Sequence, residues 1–227
     1  MDKTIVITGG AEGLGKTIAK RLVGKNKVIL LDLNEKLLQK TAAELKCESV
    51  TCDITDAEQI KSVIDSIQSK QNIDVLINNA GIWIQGLLEE ADDKRIKQIF
   101  EVNCLGTVLT TKSVLPNMKK RNEGTIINIV SIAGLSAKPE RSIYNSSKWA
   151  MTGFTRCLQQ ELKGTNIRVT GIYPGFMKTK LFENAGNSRS SYDEALDPDE
   201  LAKTVEFILS LNQTTFFPDI TIKNINN

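Results

Sequence analysis

Short apolar runs rich in β-branched residues alternate with amphipathic stretches from one end of this chain to the other, and few folds accommodate that alternation. Runs such as Ile5-Val6-Ile7 and Val75-Leu76-Ile77 have no polar face, so a strand built from them needs cover on both sides. The amphipathic stretches supply the cover, and the βαβα order aligns neighbouring strands in parallel. Strands are expected at residues 3–8, 27–32, 49–52, 75–78, 125–130, 167–173 and near 220–222. Helices are expected at about 14–23, 35–45, 57–69, 92–120, 142–162 and 198–210. Asp56 and Asp197 stand where N-caps belong, the latter followed by Pro198 at the first helical position. No internal repeat or low-complexity linker divides the 227 residues. The expectation is a single α/β domain, a doubly wound parallel sheet of about seven strands with helices on both faces. The longest segment without a pattern, 174–196, is rich in Gly, Asn and Ser. A loop of that length in a compact domain is usually a lid or disordered, and residues 174–197 are assigned as a substrate loop.

Bulk properties exclude several classes of function. Hydrophobic residues at 41% and charged residues at 25% are ordinary globular values, and a net charge of +2 gives no field suited to nucleic acid. No run approaches the roughly 18 apolar residues of a membrane span, and the start Met1-Asp2-Lys3-Thr4 passes directly into the first apolar run. A soluble, cytoplasmic protein with no membrane partner is expected. Cys47, Cys52, Cys104 and Cys157 show no C-x-x-C spacing and the chain has no histidine. No metal site is expected, and the cysteines read as small buried hydrophobes. Without histidine, Ser-His-Asp and Cys-His hydrolase mechanisms drop out.

Gly9, Gly13 and Gly15 fall between the first strand and the first helix. There a phosphate group can meet the exposed N–H groups and positive dipole end of that helix. The G-x-x-x-G-x-G spacing differs from the G-x-G-x-x-G fingerprint of many dinucleotide sites, and a glycine turn is also common punctuation; its place at the opening of a βαβ unit favours the phosphate reading. The second strand ends at Asp32, where a carboxylate would accept hydrogen bonds from both ribose hydroxyls. A 2′-phosphate there would meet like charge, and Glu12, Leu33 and Asn34 stand where an arginine would be wanted. Asp32 therefore favours NAD over NADP, with Lys16 the one nearby cation opposing that reading. The bland alternative is a solvated carboxylate at a strand end.

Tyr144 and Lys148 lie one helical turn apart, after Ser131. A phenol is a poor acid or base at neutral pH because its ordinary pKa is about 10. A lysine four residues on shares its helix face, and a nearby positive charge favours the phenolate. The expectation is that Lys148 lowers the Tyr144 pKa and makes it a usable proton donor or acceptor.

With these motifs the chain resembles the short-chain dehydrogenase/reductase family, in its single-domain branch with a Rossmann-type fold. The resemblance runs from Thr4 to about Thr179. It is carried by the turn Thr8-Gly-Gly-Ala-Glu-Gly-Leu-Gly15, by Asp53-Ile54 after the third strand and by Asn78-Asn79-Ala80-Gly81 after the fourth. Asn103 in the long helix, Ser131 closing the fifth strand, Tyr144 with Lys148, and Pro174-Gly175 with Thr179 complete it. The resemblance implies a cofactor site that also includes Glu12, Leu14, Ile54, Ala80, Gly81, Pro174 and Gly175. In it Asp53 contacts the adenine amine, Asn79 supports the glycine turn, and Thr179 with the backbone near Met177 holds the nicotinamide carboxamide. It further implies that Ser131 hydrogen-bonds the substrate oxygen while Tyr144 exchanges a proton with it. Lys148 would bind the nicotinamide ribose, and Asn103 would hold a water that links Lys148 to solvent. By residue chemistry alone, Asn103 is equally an asparagine bonded locally or facing water. The long helix and the helix of Tyr144 often pair across a two-fold axis in this family, so a homodimer or homotetramer is expected.

After Thr179 the chain departs from the family pattern: Phe216-Phe217-Pro218-Asp219-Ile220-Thr221-Ile222 lacks the usual Gly-Gly close. Trp83 and the segments 133–142 and 176–196 would shape the substrate pocket. Lys138, Arg141 and Arg189 are the cations that could meet an anionic substrate, although single surface cations are usually just solvated. The sequence reading is an NAD(H)-dependent oxidoreductase interconverting a secondary alcohol and a ketone on a small or medium organic molecule. An NADPH-linked 3-oxoacyl-thioester reductase shares the same motifs, and a catalytically silent nucleotide-binding sensor or scaffold is the alternative of another class.

Overall fold

A computed structural model describes residues 2–181, 183 and 193–225. Seven parallel strands form one sheet in the order β3-β2-β1-β4-β5-β6-β7. They are β1 (Thr4–Thr8), β2 (Lys27–Asp32), β3 (Glu48–Thr51), β4 (Val75–Asn78), β5 (Gly124–Ile129), β6 (Ile167–Pro174) and β7 (Asp219–Ile222). The helices are α1 (Gly13–Leu22), α2 (Glu35–Leu45), α3 (Ala57–Gln68), α4 (Asp93–Phe100), α5 (Gly106–Arg121), α6 (Ser142–Glu161) and α7 (Pro198–Ser210). The expected doubly wound sheet is present, and no helix among the described residues is long and apolar enough to cross a membrane.

Period-two alternation sends neighbouring strand residues into opposite layers. Ile5 and Ile7 pack with Ile18 of α1, Leu38 of α2 and Leu201 and Val205 of α7. Val6, between them, packs with Ile60 and Ile64 of α3 and Val114 and Met118 of α5. The central strands β1, β4, β5 and β6 are buried throughout, which is why apolar residues dominate them on both faces, with polar residues such as Asn78, Asn128 and Arg168 buried among them. Asp56 and Asp197 do cap α3 and α7, accepting from Glu58 N and Gln59 N and from Asp199 N respectively.

The long helix expected at 92–120 is broken. α4 and α5 are joined by one wide π-helical turn, Glu101–Leu105. The turn carries Asn103, whose side chain is tied outside the helix to Ile82. Helical periodicity runs through this region, so the sequence pattern gave no sign of a break set by a tertiary contact. Chain order reverses between β1 and β4, and a sheet of this kind opens a crevice at the carboxyl ends of its strands at that point.

Candidate active site

That crevice is a cleft of about 500 Å³. On the β2 side it is lined by Gly9, Glu12, Gly13, Leu14 and Asp32, and in the middle by Asn79, Ala80 and Gly81. On the β5 and β6 side lie Ser131, Tyr144 and Lys148, with Pro174, Gly175, Met177 and Thr179 following β6. The remaining expected residues, Gly15, Asp53, Ile54 and Asn103, are not among the residues that line it. Most of the 174–197 loop, and Arg189 with it, lies outside the described residues. The described ends of the loop are clasped together: Leu196 N donates to Phe176 O at 2.7 Å and Lys178 N to Leu196 O at 3.1 Å.

The glycine turn is built by close approach. A Cβ on Gly15 would lie 2.1 Å from the Gly9 carbonyl oxygen, so α1 could not start so near the strand end with any other residue. Asn79 Nδ2 donates to the Thr8 and Gly9 carbonyls at 3.0 and 3.1 Å. Thr8 Oγ1 in turn accepts from Asn79 N and Ala80 N at 3.0 and 3.1 Å. Thr8, at the head of the glycine turn, thus also stitches β1 to the turn after β4. Asp32 accepts from Ala11 N at 3.0 Å and Asn34 N at 2.9 Å, so it anchors the glycine turn as well as facing the cleft. Lys16 is paired with Glu44 at 2.6 Å. Asp53 accepts from Thr55 N and Oγ1, and Ile54 packs where a Cβ on Gly106 would stand.

At the other end, α6 presents Tyr144 and Lys148 on its buried face. Ser131 lies near enough to Tyr144 to lower its pKa, and Ser131 Oγ accepts from Ala133 N at 3.1 Å. Lys148 Nζ reaches toward the Ile129 carbonyl at 3.5 Å. Asn103 accepts from Ile82 N at 2.7 Å and donates to Ile82 O at 2.9 Å and Ser147 Oγ at 3.1 Å. It therefore joins the turn after β4 to α6. Trp83 packs against Tyr144 with ring centroids 4.3 Å apart and planes tilted by 58°, and the Arg141 guanidinium lies 5.1 Å from the centre of the Trp83 ring. Sequence spacing gave no sign of this packing.

One expectation is corrected here. Lys148 does not lower the Tyr144 pKa: burial pushes the phenol up to about 12, and what pulls it back is the Ser131 hydroxyl and the Arg141 charge. Burial also pushes Lys148 down to about 8. The two groups share a desolvated site in which neither charged form is favoured. A phenol that stays protonated, beside a serine hydroxyl, is suited to donating a proton to a carbonyl oxygen.

The cleft fits a dinucleotide. No side chain caps the N-terminus of α1, leaving its first N–H groups to other acceptors. A Cβ on Gly13 would meet only Thr179 Cβ within reach, at 3.9 Å, so the cradle above that helix end is open.

Residues 3–190 match the sequence profile described as short chain dehydrogenase. Carbonyl reductase family member 4 of Xenopus laevis is 33% identical over 216 residues, 92% of this chain and 92% of its own. The 3-oxoacyl-(acyl-carrier-protein) reductase of Thermotoga maritima is 32% identical over 222 residues, covering 92% of this chain and 90% of its own. The closed form of serine dehydrogenase complexed with NADP+ superposes with a TM-score of 0.93 at 26% identity, over 99% of this chain and 96% of that one. The chain belongs to the short chain dehydrogenase family of oxidoreductases.

Proposed function

We propose that this protein is an NAD(H)-dependent oxidoreductase interconverting a secondary alcohol and a ketone, with Tyr144 as proton donor and acceptor. The observation that carries this reading is the burial of Tyr144 beside Lys148, with Ser131 near enough to lower the Tyr144 pKa, at one end of a glycine-lined cleft. Ser131 holds the substrate oxygen, and Tyr144 gives that oxygen a proton in reduction and takes one in oxidation. A nicotinamide cofactor held in the cleft would supply the hydride acceptor for the alcohol carbon or the hydride donor for the ketone carbon. Proton and hydride together account for the two hydrogens that separate alcohol from ketone. Lys148 holds the nicotinamide ribose. Asn103, fixed on the Ile82 backbone, positions the turn beside Lys148. Residues 174–197 are the proposed substrate loop.

NAD is preferred to NADP because the Asp32 carboxylate stands at the end of β2, where it would repel a 2′-phosphate, while Lys16 is engaged by Glu44. The serine dehydrogenase structure holds NADP+, so a direct comparison of the two cofactors decides the point. The relative from Thermotoga is a 3-oxoacyl-(acyl-carrier-protein) reductase, which keeps a thioester reductase as the second reading. The same proposal includes a homodimer: Leu105 and Trp149, 43% and 51% exposed, lie on the segment and helix that would pair. Light scattering should give at least twice the chain mass of 25.1 kDa.

The test is turnover of a panel of secondary alcohols and ketones with NAD(H) and NADP(H) in parallel, with Tyr144→Phe as control. Turnover that disappears in the variant while NADH affinity stays nearly intact is the expected result. Activity of wild-type size in Tyr144→Phe would overturn the mechanism.

A further inference from the structure

We infer that Thr41 of α2 is a positioning residue for the cofactor: it holds the glycine turn in its binding conformation through the carbonyl of Ala11, so that a dinucleotide meets a turn already formed. This rests on the functional reading above and deepens it at the cofactor end of the same cleft.

Thr41 is 1% exposed and is not among the residues that line the cleft. A helical threonine commonly returns its hydroxyl to the carbonyl four residues earlier, as Thr17 does to Gly13 O at 2.9 Å and Thr110 to Gly106 O at 2.7 Å. Thr41 Oγ1 instead donates to Ala11 O at 2.6 Å, 30 residues back in the chain. A hydroxyl has one proton to give, so this bond stands in place of the local one. Ala11 is thereby held at both of its polar groups, because its N–H donates to Asp32 Oδ2 at 3.0 Å. The neighbouring peptides are held as well: Gly10 N donates to Leu31 O at 3.1 Å, and Asn79 Nδ2 donates to the Thr8 and Gly9 carbonyls. In a trans peptide the N–H opposes the carbonyl, so fixing Ala11 O also fixes the direction of the Glu12 N–H and the line on which the chain enters α1. Glu12, Gly13 and Leu14 line the cleft, and they belong to the helix end that would meet the cofactor phosphates. Asp32 is shared in this arrangement, since the ribose hydroxyls would call on the same carboxylate, whereas Thr41 lies off the cleft and gives its bond to the turn. Without that bond the Ala11 carbonyl loses its partner and the turn is free to leave the binding conformation. The apparent Kd then rises by the inverse of the fraction that stays in it.

The test is direct titration of the full chain with NADH, NADPH and ADP-ribose, the last lacking the nicotinamide, in wild type, Thr41→Val, Thr41→Ala and Thr41→Ser, with a thermal melt of each protein. Thr41→Val keeps the shape of the side chain and removes the donor. It should weaken ADP-ribose and the tighter-bound of the two reduced cofactors by the same factor, on the order of 5-fold, as the loss of one hydrogen bond warrants. Thr41→Ser keeps the hydroxyl and should bring the affinity back to within about twofold of wild type. Thr41→Ala serves if the valine variant does not fold. A role in packing alone would lower the melting temperature and leave the affinity of the folded protein as it was, and that result would overturn the inference while the oxidoreductase reading stands. So would a loss in Thr41→Ser equal to that in Thr41→Val, or a loss for the reduced cofactor without one for ADP-ribose. Wild type that binds none of the three ligands would overturn the cofactor reading and this inference with it.

Discussion

The Lys148 ammonium lies 5.9 Å from the centre of the Tyr144 ring, and both side chains are about 5% exposed. Burial moves their pKa values in opposite directions, Tyr144 up to about 12 and Lys148 down from 10.5 to about 8. Below pH 8 Lys148 is charged in both the folded and the unfolded chain, and folding carries the full cost of burying that charge. Between pH 8 and 10.5 the folded state releases its proton first, the unfolded state binds more protons, and stability rises with pH. Lys148→Met should therefore be more stable than wild type at pH 7 by about 1–3 kcal/mol, with the difference shrinking by pH 10. Denaturant unfolding at the two pH values checks this, and pH 10 is also below the range in which folded Tyr144 ionises. A variant less stable at pH 7 would show that bonds made by the ammonium outweigh its desolvation.

Tyr144 gives a prediction for the direction of the reaction. With its pKa at about 12, the phenol is protonated throughout the neutral range, the form needed to reduce a ketone and not the form needed to oxidise an alcohol. Alcohol oxidation should therefore rise by about tenfold per pH unit where chemistry limits the rate, while ketone reduction stays flat between pH 6 and about 8. Parallel pH profiles of kcat in the two directions would show it, and a flat oxidation profile would count against Tyr144 as the titrating base.

Gly134 should be as intolerant as any residue of the catalytic set. A Cβ there would lie 2.6 Å from the Lys148 carbonyl oxygen and 2.6 Å from Thr152 Oγ1, so Gly134→Ala must push α6 away from the turn after Ser131. Overpacking of this kind costs about 1–3 kcal/mol, and the displaced backbone is the one that carries Tyr144 and Lys148. Thermal melts and kcat should fall together. A variant of normal activity would mean that α6 gives way without moving Tyr144.

The sheet was legible because its central strands are buried on both faces and carry apolar runs such as Ile5-Val6-Ile7 and Val75-Leu76-Ile77, and the caps of α3 and α7 because Asp56 and Asp197 act through local bonds. The features that escaped depend on residues distant in sequence. The break at Glu101–Leu105 follows the Asn103–Ile82 bonds, and the Arg141–Trp83–Tyr144 packing joins a loop after β4 to the start of α6. The Tyr144 pKa was misjudged for a related reason: a four-residue spacing reports a neighbouring charge but not burial, and here burial is the larger effect.

Asn103 allows the positioning role to be separated from proton relay. Its side chain satisfies both the N–H and the carbonyl of Ile82 and donates to Ser147 Oγ, three buried or half-buried groups with no water needed to account for them. Asn103→Ala would leave the Ile82 N–H and carbonyl unpaired while Ser147 Oγ keeps its bond to the Tyr144 carbonyl, at about 1–3 kcal/mol for each group that stays buried and unsatisfied, so a marked loss of stability should accompany any loss of turnover. Asn103→Asp keeps the Ile82 N–H bond and loses the two donors, so its melting temperature should lie between those of wild type and Asn103→Ala. If the residue acts mainly by positioning, kcat across the three proteins should follow stability, and the pH dependence of oxidation should keep its shape. If a relay through Asn103 dominates, Asn103→Ala should fold normally, lose kcat, and recover part of it when small amines are added as external proton carriers.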